Sequence, residues 1–251
     1  ARKLGLTLSR FQSVDGEAAR IAPVNIEDLL LRPSVHIDLP RLSGFLKGKR
    51  VVVTGGGGSI GSEVCLKVAS FGASAILVLE HSEPALHAIT ELLLVGTGKL
   101  SVSGHICDVR DRKRLFALLE EFRPDVVFHA AALKHVPYLE QDWGEGIRTN
   151  VTGSINVADA SVAVAAEAFV MISTDKAIEP ASMLGATKRF AEIYTEALDE
   201  RLRRDGARTR LISVRFGNVL GSNGSVVPKF KAQIERGGPL TVTHPDMVRF
   251  F

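Results

Sequence analysis

The sequence predicts an α/β protein, a doubly wound parallel sheet with helices on both faces. Three observations predict it. Short apolar, β-branched runs alternate with helical stretches from Arg50 to Val214, the rhythm of strand and crossover helix in a parallel sheet. The runs lack a polar face, as strands covered on both sides do. A glycine-rich turn joins the first run to the first helix, the context in which such a turn carries meaning.

Each element follows from local chemistry. Residues 1–47 are broken by Pro23, Pro33 and Pro40 and read as an arm or linker, with one short amphipathic helix over 26–31. Val51-Val52-Val53 is the first buried strand, followed by a helix from Ser59 to about Ser70. Strands are then expected over 75–79, 100–106, 125–129, 169–172 and 211–214. Helices are expected over 84–95, over 112–122 with Asp111 as N-cap, over 147–166, and over 182–204. The last is rich in Lys and Arg near its end, where the helix dipole favours cations. After Phe216 the alternation stops in a cluster of Gly, Ser, Pro and Asn, which suits an excursion facing a ligand. Trp143, the single tryptophan, is expected to pack.

Composition narrows the function. With 251 residues, 45% hydrophobic and 24% charged, the chain is neither disordered, collagen-like nor coiled coil. A net charge of +3 falls short of a nucleic-acid footprint. Cys65 and Cys107 are too few for a disulfide framework and suit a reducing, cytoplasmic compartment. No metal site is expected. No apolar run reaches the ~18–20 residues of a membrane span, so no membrane contact is expected of this stretch. The abrupt start at Ala1-Arg2-Lys3 and end at Arg249-Phe250-Phe251 suggest a piece of a longer chain.

The turn Thr54-Gly55-Gly56-Gly57-Gly58-Ser59-Ile60-Gly61 places Gly55, Gly58 and Gly61 at G-x-x-G-x-x-G spacing. Gly55 lets the strand turn, Gly58 lets backbone N–H groups approach a pyrophosphate, and Gly61 lets the helix pack closely. No Lys-Ser/Thr follows, which argues against a nucleotide-triphosphate loop. The expected ligand is a dinucleotide and the fold is Rossmann-type. Glu80, 19 residues after Gly61, either accepts hydrogen bonds from the adenosine ribose or is a solvated strand end. As a ribose acceptor it repels a 2′-phosphate and favours NAD over NADP. Asp108 either meets the adenine edge or caps the basic run 110–114. Ala130, Ala131 and Ala132 either leave room for a cofactor or serve tight packing.

Ser173-Thr174-Asp175-Lys176 ends the fifth strand, where ligands gather in open α/β sheets. It and seven further segments carry a resemblance: 54–61, His129-Ala130-Ala131-Ala132-Leu133-Lys134-His135-Val136-Pro137, Thr149-Asn150-Val151, Gly185-Ala186-Thr187-Lys188-Arg189, 215–222, Thr241-Val242-Thr243-His244-Pro245 and 249–251. Together they resemble the extended short-chain dehydrogenase/reductases of the CapD-like polysaccharide-biosynthesis branch, nucleotide-sugar 4,6-dehydratases that typically act on UDP-N-acetylglucosamine. The resemblance implies NAD as cofactor, a UDP-sugar as substrate, a homo-oligomer, and a parent chain anchored to the inner membrane with this part in the cytoplasm. It divides the chain into the arm, a Rossmann domain over 48–214 and a truncated substrate-binding region over 215–251.

The implied chemistry is internal redox: oxidation at C4 of the hexose, loss of the C5 proton and the C6 hydroxyl as water, then reduction at C6. Lys188 is then the helix lysine on the nicotinamide ribose, Asp175 the acid for the C6 hydroxyl, and Thr174 a partner of the C4 oxygen. Lys176 is the C5 base, which requires that burial or neighbouring cations favour its neutral form; alternatively Asp175 and Lys176 are a surface ion pair. Ser59, Ile60, Val109, Lys134 and Asn150 join the glycines at the cofactor. Lys134, His135 and Glu140 are expected at the same cleft, although His135 reads equally well as structural. Arg215, Asn218, Ser225, Lys229 and Arg249 form the nucleotide-sugar grip, or are solvated loop polars. One position departs from the pattern: four residues before the lysine the superfamily carries tyrosine, and here stands Leu184. Leucine has no proton to exchange; this counts against the alternative of a sugar-nucleotide epimerase or oxidoreductase on the same fold, which normally uses that tyrosine, and it keeps a non-catalytic NAD-binding sensor as a further alternative.

Overall fold

The computed structural model describes residues 9–12, 20–23, 38–96, 100–219 and 226–242. The chain divides into two compact units. The larger is Asp38–Gly217 and the other combines Ala1–Ile37 with Asn218–Phe251.

The larger unit opens with α1 (Leu39–Leu46), capped by Asp38, whose carboxylate accepts from Arg41 N–H, and it buries Leu46 against the sheet. So 38–47, read above as arm, belongs to this unit. The strands are β3 (Arg50–Thr54), β4 (Ala75–Glu80), β5 (Ser101–Ile106), β6 (Val126–His129), β7 (Ala168–Thr174) and β8 (Arg210–Phe216). They form one parallel sheet in the order β5-β4-β3-β6-β7-β8. Strand order reverses between β3 and β6, and this switch point opens the crevice where open α/β sheets take ligands. Alternation along β3 shows why the central strands are apolar on both faces, whereas the edge strands β5 and β8 carry polar residues. Val51 and Val53 face one core with α2 (Ser59–Ser70) and α3 (Glu83–Gly96), while Val52 faces the other with α4 (Arg112–Phe122), α7 (Ser154–Ala163) and α8 (Met183–Arg204). Asp111 caps α4 as expected, accepting from Arg114 N–H at 3.0 Å.

Three expectations are corrected. The helix expected over 147–166 is a π-helical turn, Ile147–Gly153, running into α7. Two short helices precede it, α5 (Val136–Gln141) and α6 (Trp143–Gly146), and Trp143 is 57% exposed rather than packed. In the other unit the stretch after Phe216 contains α9 (Val226–Glu235), with Pro228 in its first turn, a position where a missing N–H is harmless. That unit also holds an antiparallel pair, β1 (Ser9–Gln12) and β2 (Arg20–Pro23). The helix expected over 26–31 lies outside the described residues.

Candidate active site

The phosphate loop is shaped by what its glycines exclude. Gly55 turns the chain with φ +67°, and a Cβ there would lie 2.6 Å from the Ala131 backbone. Ala130 and Ala131 therefore pack against the loop, as their small size allows. A Cβ on Gly61 would collide with the Gly55 carbonyl oxygen. Gly58 differs: it is the exposed N-cap of α2 with extended φ −75°, and a Cβ would meet just the Gly55 oxygen, at 3.3 Å. Beyond it Ser59 and Ile60 begin the helix, whose first N–H groups have no partner within the helix.

Glu80 is no solvated strand end. It is 5% exposed. Its Oε2 accepts from Gly57 N–H at 3.1 Å, and its Oε1 from the N–H groups of His81 and Ser82 at 2.9 and 3.1 Å. The carboxylate thus ties the loop to the end of β4, and Oε2 keeps acceptor capacity beyond its one bond. Asp108 forks with Arg110, which also reaches Glu145. Burial works against its charge, but the Arg110 bonds prevail and hold Asp108 below the usual carboxylate range. Val109 is buried in the core and packs on Gly153.

Behind the crevice runs a buried polar chain absent from the sequence reading. His129 is fully buried at the end of β6. Its Nδ1 lies 2.7 Å from Thr54 Oγ1 and its Nε2 2.9 Å from Ser154 Oγ, which in turn donates to the Asn150 carbonyl. That donation leaves Ser154 accepting from Nε2–H, so Nδ1 accepts from Thr54. Burial, and then the charge of Lys188, push the His129 pKa down to about 3, so the ring is neutral. Asn150 is also fully buried. Its amide accepts from Leu133 N–H and donates to the Leu133 carbonyl and to Thr187 Oγ1. With both amide hydrogens engaged, it acts by holding the loop after β6.

At the end of β7 a 3-10 turn, Asp175–Ala177, carries the acid and the lysine. Asp175 Oδ1 accepts from Thr174 Oγ1 at 3.0 Å and from Lys176 Nζ at 2.9 Å. Burial raises the Asp175 pKa, but the bonds from Lys176 and Thr174 outweigh it and hold the group below the usual carboxylate range. Of the two environments expected for Lys176, deep burial is not found: its side chain is 37% exposed and paired with the Asp175 carboxylate. Gly185 brings α8 onto this turn, since a Cβ there would collide with the Lys176 carbonyl. Ser182 caps α8, and Glu140 accepts from Met183 N–H. Lys188 is buried, and its Nζ donates to the Ile172 carbonyl at 2.8 Å. Burial lowers its pKa to about 8, against the opposing charge of Glu192. Leu184, one turn earlier, is buried at 6% exposure.

The residues expected to grip the nucleotide sugar are divided between the two units. Arg215 spends its fork on Glu192, with Nε and Nη2 at 2.9 and 2.6 Å. Lys134 and His135 are exposed after β6, and the His135 ring meets Tyr138 edge-on. Asn218 and the exposed Lys229 belong to the other unit. Ser225 and Arg249 lie outside the described residues. The sequence reading missed His129, Ser154, Thr187 and Glu192. Each sits in a helix or strand pattern that reads as ordinary, and burial alone reveals it.

Sheet order, glycine loop and the lysine of α8 define a Rossmann-type protein of the short-chain dehydrogenase/reductase class. Residues 51–251 match the family described as polysaccharide biosynthesis protein, and the chain belongs to it. It is 48% identical over 235 residues to the probable polysaccharide biosynthesis protein EpsC of Bacillus subtilis, covering 93% of this chain and 38% of that protein. It is 45% identical to the capsular polysaccharide biosynthesis protein CapD of Staphylococcus aureus, covering 94% and 39%. The chain thus spans about two fifths of the length of these relatives. More distant are a UDP-N-acetylglucosamine 4,6-dehydratase (inverting) of Campylobacter jejuni, 34% identical over 82% of this chain and 60% of the relative, and a UDP-glucose 4-epimerase of Rickettsia conorii, 35% identical over 80% and 58%. Among solved structures, Pen from Bacillus thuringiensis matches with TM-score 0.76 and 35% identity over 82% of this chain and 63% of that one. WbmG of Bordetella bronchiseptica, in complex with NAD and UDP, matches with TM-score 0.60 and 25% identity, over 76% and 61%.

Proposed function

We propose that this chain is the catalytic core of an NAD-dependent nucleotide-sugar 4,6-dehydratase acting on UDP-N-acetylglucosamine or a close relative. The observation that carries the reading is the ionised Asp175, held by Thr174 and Lys176 at the end of β7 beside the buried Lys188. The dehydratase relative from Campylobacter jejuni supports the reaction class.

The residues fit a dinucleotide. The α2 N-terminus with its open Gly58 would take the pyrophosphate, Glu80 the adenosine ribose, and Lys188 the nicotinamide ribose. When bound, NAD supplies a site that accepts a hydride and later returns it. The chain's own residues move the protons. Both bonds on Asp175 fall on Oδ1, leaving Oδ2 for a sugar hydroxyl. As a carboxylate it takes the C4 hydroxyl proton, and as the resulting acid it gives that proton to the departing C6 hydroxyl. Once its ion pair with Asp175 opens, Lys176 releases a proton to solvent; as the neutral amine it takes the C5 proton and returns it to C5 when C6 is reduced, and Thr174 positions the C4 oxygen. One water leaves, made of the C6 hydroxyl and the proton Asp175 took from the C4 hydroxyl.

Mass spectrometry of UDP-N-acetylglucosamine incubated with the protein and NAD tests this reading. Loss of one water supports it. Unchanged mass with inverted stereochemistry favours an epimerase, the second reading, which the Rickettsia conorii relative supports. An unaltered sugar nucleotide leaves a sensor.

The cofactor assignment has its own check. Gly58→Val places a side chain in the path of the pyrophosphate at an extended backbone position that valine adopts readily. The expected result is NAD affinity weakened at least tenfold, about 1.4 kcal/mol, measured on folded protein because the new Cβ also presses on the Gly55 carbonyl oxygen at 3.3 Å. Undiminished NAD affinity in a titration would remove the loop from the cofactor site.

A further inference from the structure

One buried acid has no part in the chemistry above. Glu192 lies one turn beyond Lys188 on α8, with its side chain 4% exposed. Its oxygens are filled from three elements. Oε1 accepts from Ser173 Oγ of β7 at 2.6 Å and from Arg215 Nε of β8 at 2.9 Å. Oε2 accepts from Arg215 Nη2 at 2.6 Å and from Arg189 Nη1 of α8 at 3.1 Å. Burial opposes its charge, but the bonds from Arg215, Ser173 and Arg189 hold its pKa down at about 2, so it is anionic throughout the working range.

A buried ion cluster is a poor way to gain stability, because the ions must be stripped of water and an apolar side chain packs as well. Its placement gives it another use. Ser173 immediately precedes Thr174 and Asp175, and it stands in register with Arg215 across the β7–β8 pair. Ile172, which takes the Lys188 hydrogen bond, precedes Ser173. The partners of Glu192 therefore flank the segment that presents both the acid and the buried lysine.

We propose that Glu192 is a positioning residue for this site. It locks the ends of β7 and β8 to α8, so that Asp175 and Lys188 keep one fixed relation, and it sets a carboxylate one helical turn from Lys188. The role in turnover rests on the dehydratase reading; the effect on Lys188 does not.

Glu192→Gln tests it by two readouts. The first is the titration of the Lys188 ε-amine by NMR, in protein without substrate. Among the described residues, the charged and titratable groups on α8 and the elements packed against it include Glu192 on its own helix, His129 of β6, the Asp175–Lys176 pair of the 3-10 turn, Glu140 of α5, which accepts from Met183 N–H, and Arg148 of the π turn, paired with Glu145; Arg189 and Arg215 are held on Glu192. His129 is neutral, so removing the Glu192 anion should move the Lys188 midpoint lower by about a pH unit, a change that lost packing alone would not produce. The second is single-turnover cofactor reduction with UDP-N-acetylglucosamine, expected to fall at least tenfold. A Lys188 midpoint at its wild-type value, or a wild-type reduction rate, overturns the proposal. If the wild type itself reduces no cofactor, the dehydratase reading fails and the Lys188 titration alone decides the role of Glu192. Should Glu192→Gln not fold because it strands a guanidinium, the double variant with Arg215→Met removes both charges of the pair, and single-turnover cofactor reduction, expected to fall at least tenfold, is then the deciding readout.

Discussion

The Asp175→Ala variant is expected to lose cofactor reduction and water elimination together, by a hundredfold or more, while Leu184→Ala keeps most of its turnover per folded molecule. The contrast follows from where a proton can go. In place of the superfamily's tyrosine, α8 presents Leu184, which is buried and can neither take nor give a proton. Oxidation of a C4 hydroxyl still requires a base. Asp175 is a carboxylate held in its charged form by hydrogen bonds from Lys176 and Thr174, whereas the Thr174 hydroxyl scarcely ionises near neutral pH. A positioned general base or acid contributes roughly a hundredfold or more, and in the proposed reaction one group serves both steps. Leu184→Ala opens a cavity, at a cost of about 2–5 kcal/mol in stability, so its rate must be normalised to folded protein. Rapid-mixing measurement of cofactor reduction in both variants separates the roles. Retained reduction in Asp175→Ala with loss in Leu184→Ala would mean that the shape of the wall at Leu184 matters more than the proton chemistry of Asp175.

The parts of this site that were legible in the sequence are those whose chemistry is local. Strands buried on both faces read as unbroken apolar runs, so the sheet could be written from 51–53 onward, and the glycine loop declared itself by standing between strand and helix. Glu80 was placed at the right strand end, but its burial was not visible there. What stayed hidden depends on partners distant in sequence. The π turn over Ile147–Gly153 has the composition of an α-helix, and it is the region where Asn150 and Ser154 tie the helix to Leu133 and His129. Glu192 looks like a surface acid of an amphipathic helix until β8 brings Arg215 onto it. Arg215 was expected on a diphosphate for its planar fork, and the fork was correctly valued, but the fold supplies its own carboxylate. Lys176 was expected to have burial or neighbouring cations around it because catalysis by an amine needs a neutral form, an argument from function; its side chain is instead half-buried and paired with Asp175.

Lys188 is expected to make the protein less stable at neutral than at alkaline pH, by an amount that Lys188→Met removes. Burial lowers the Lys188 pKa in the folded state from 10.5 to about 8, with Glu192 pulling the other way. Between those values the unfolded chain holds a proton that the folded protein has released. Stability rises with pH wherever the unfolded state binds more protons, so the penalty of the buried ammonium is complete below about pH 8 and fades as the pH rises toward 10.5. A shift of this size corresponds to about 3 kcal/mol. Other groups titrate in the same window, but they are shared by both proteins and cancel in the difference. Denaturant unfolding of wild type and Lys188→Met at steps from pH 7 to 11 should therefore give curves in which the wild type gains about 3 kcal/mol on the variant. Parallel curves would show that Lys188 keeps its proton in the folded protein over the same range as in the unfolded chain. The same titration bears on function. The ammonium is the form that can offer three hydrogens, one already given to the Ile172 carbonyl and the others available to ribose hydroxyls. NAD affinity should accordingly weaken as the pH rises past about 8, over the range in which the folded protein gains stability: the charge that binding requires is the charge that burial resists.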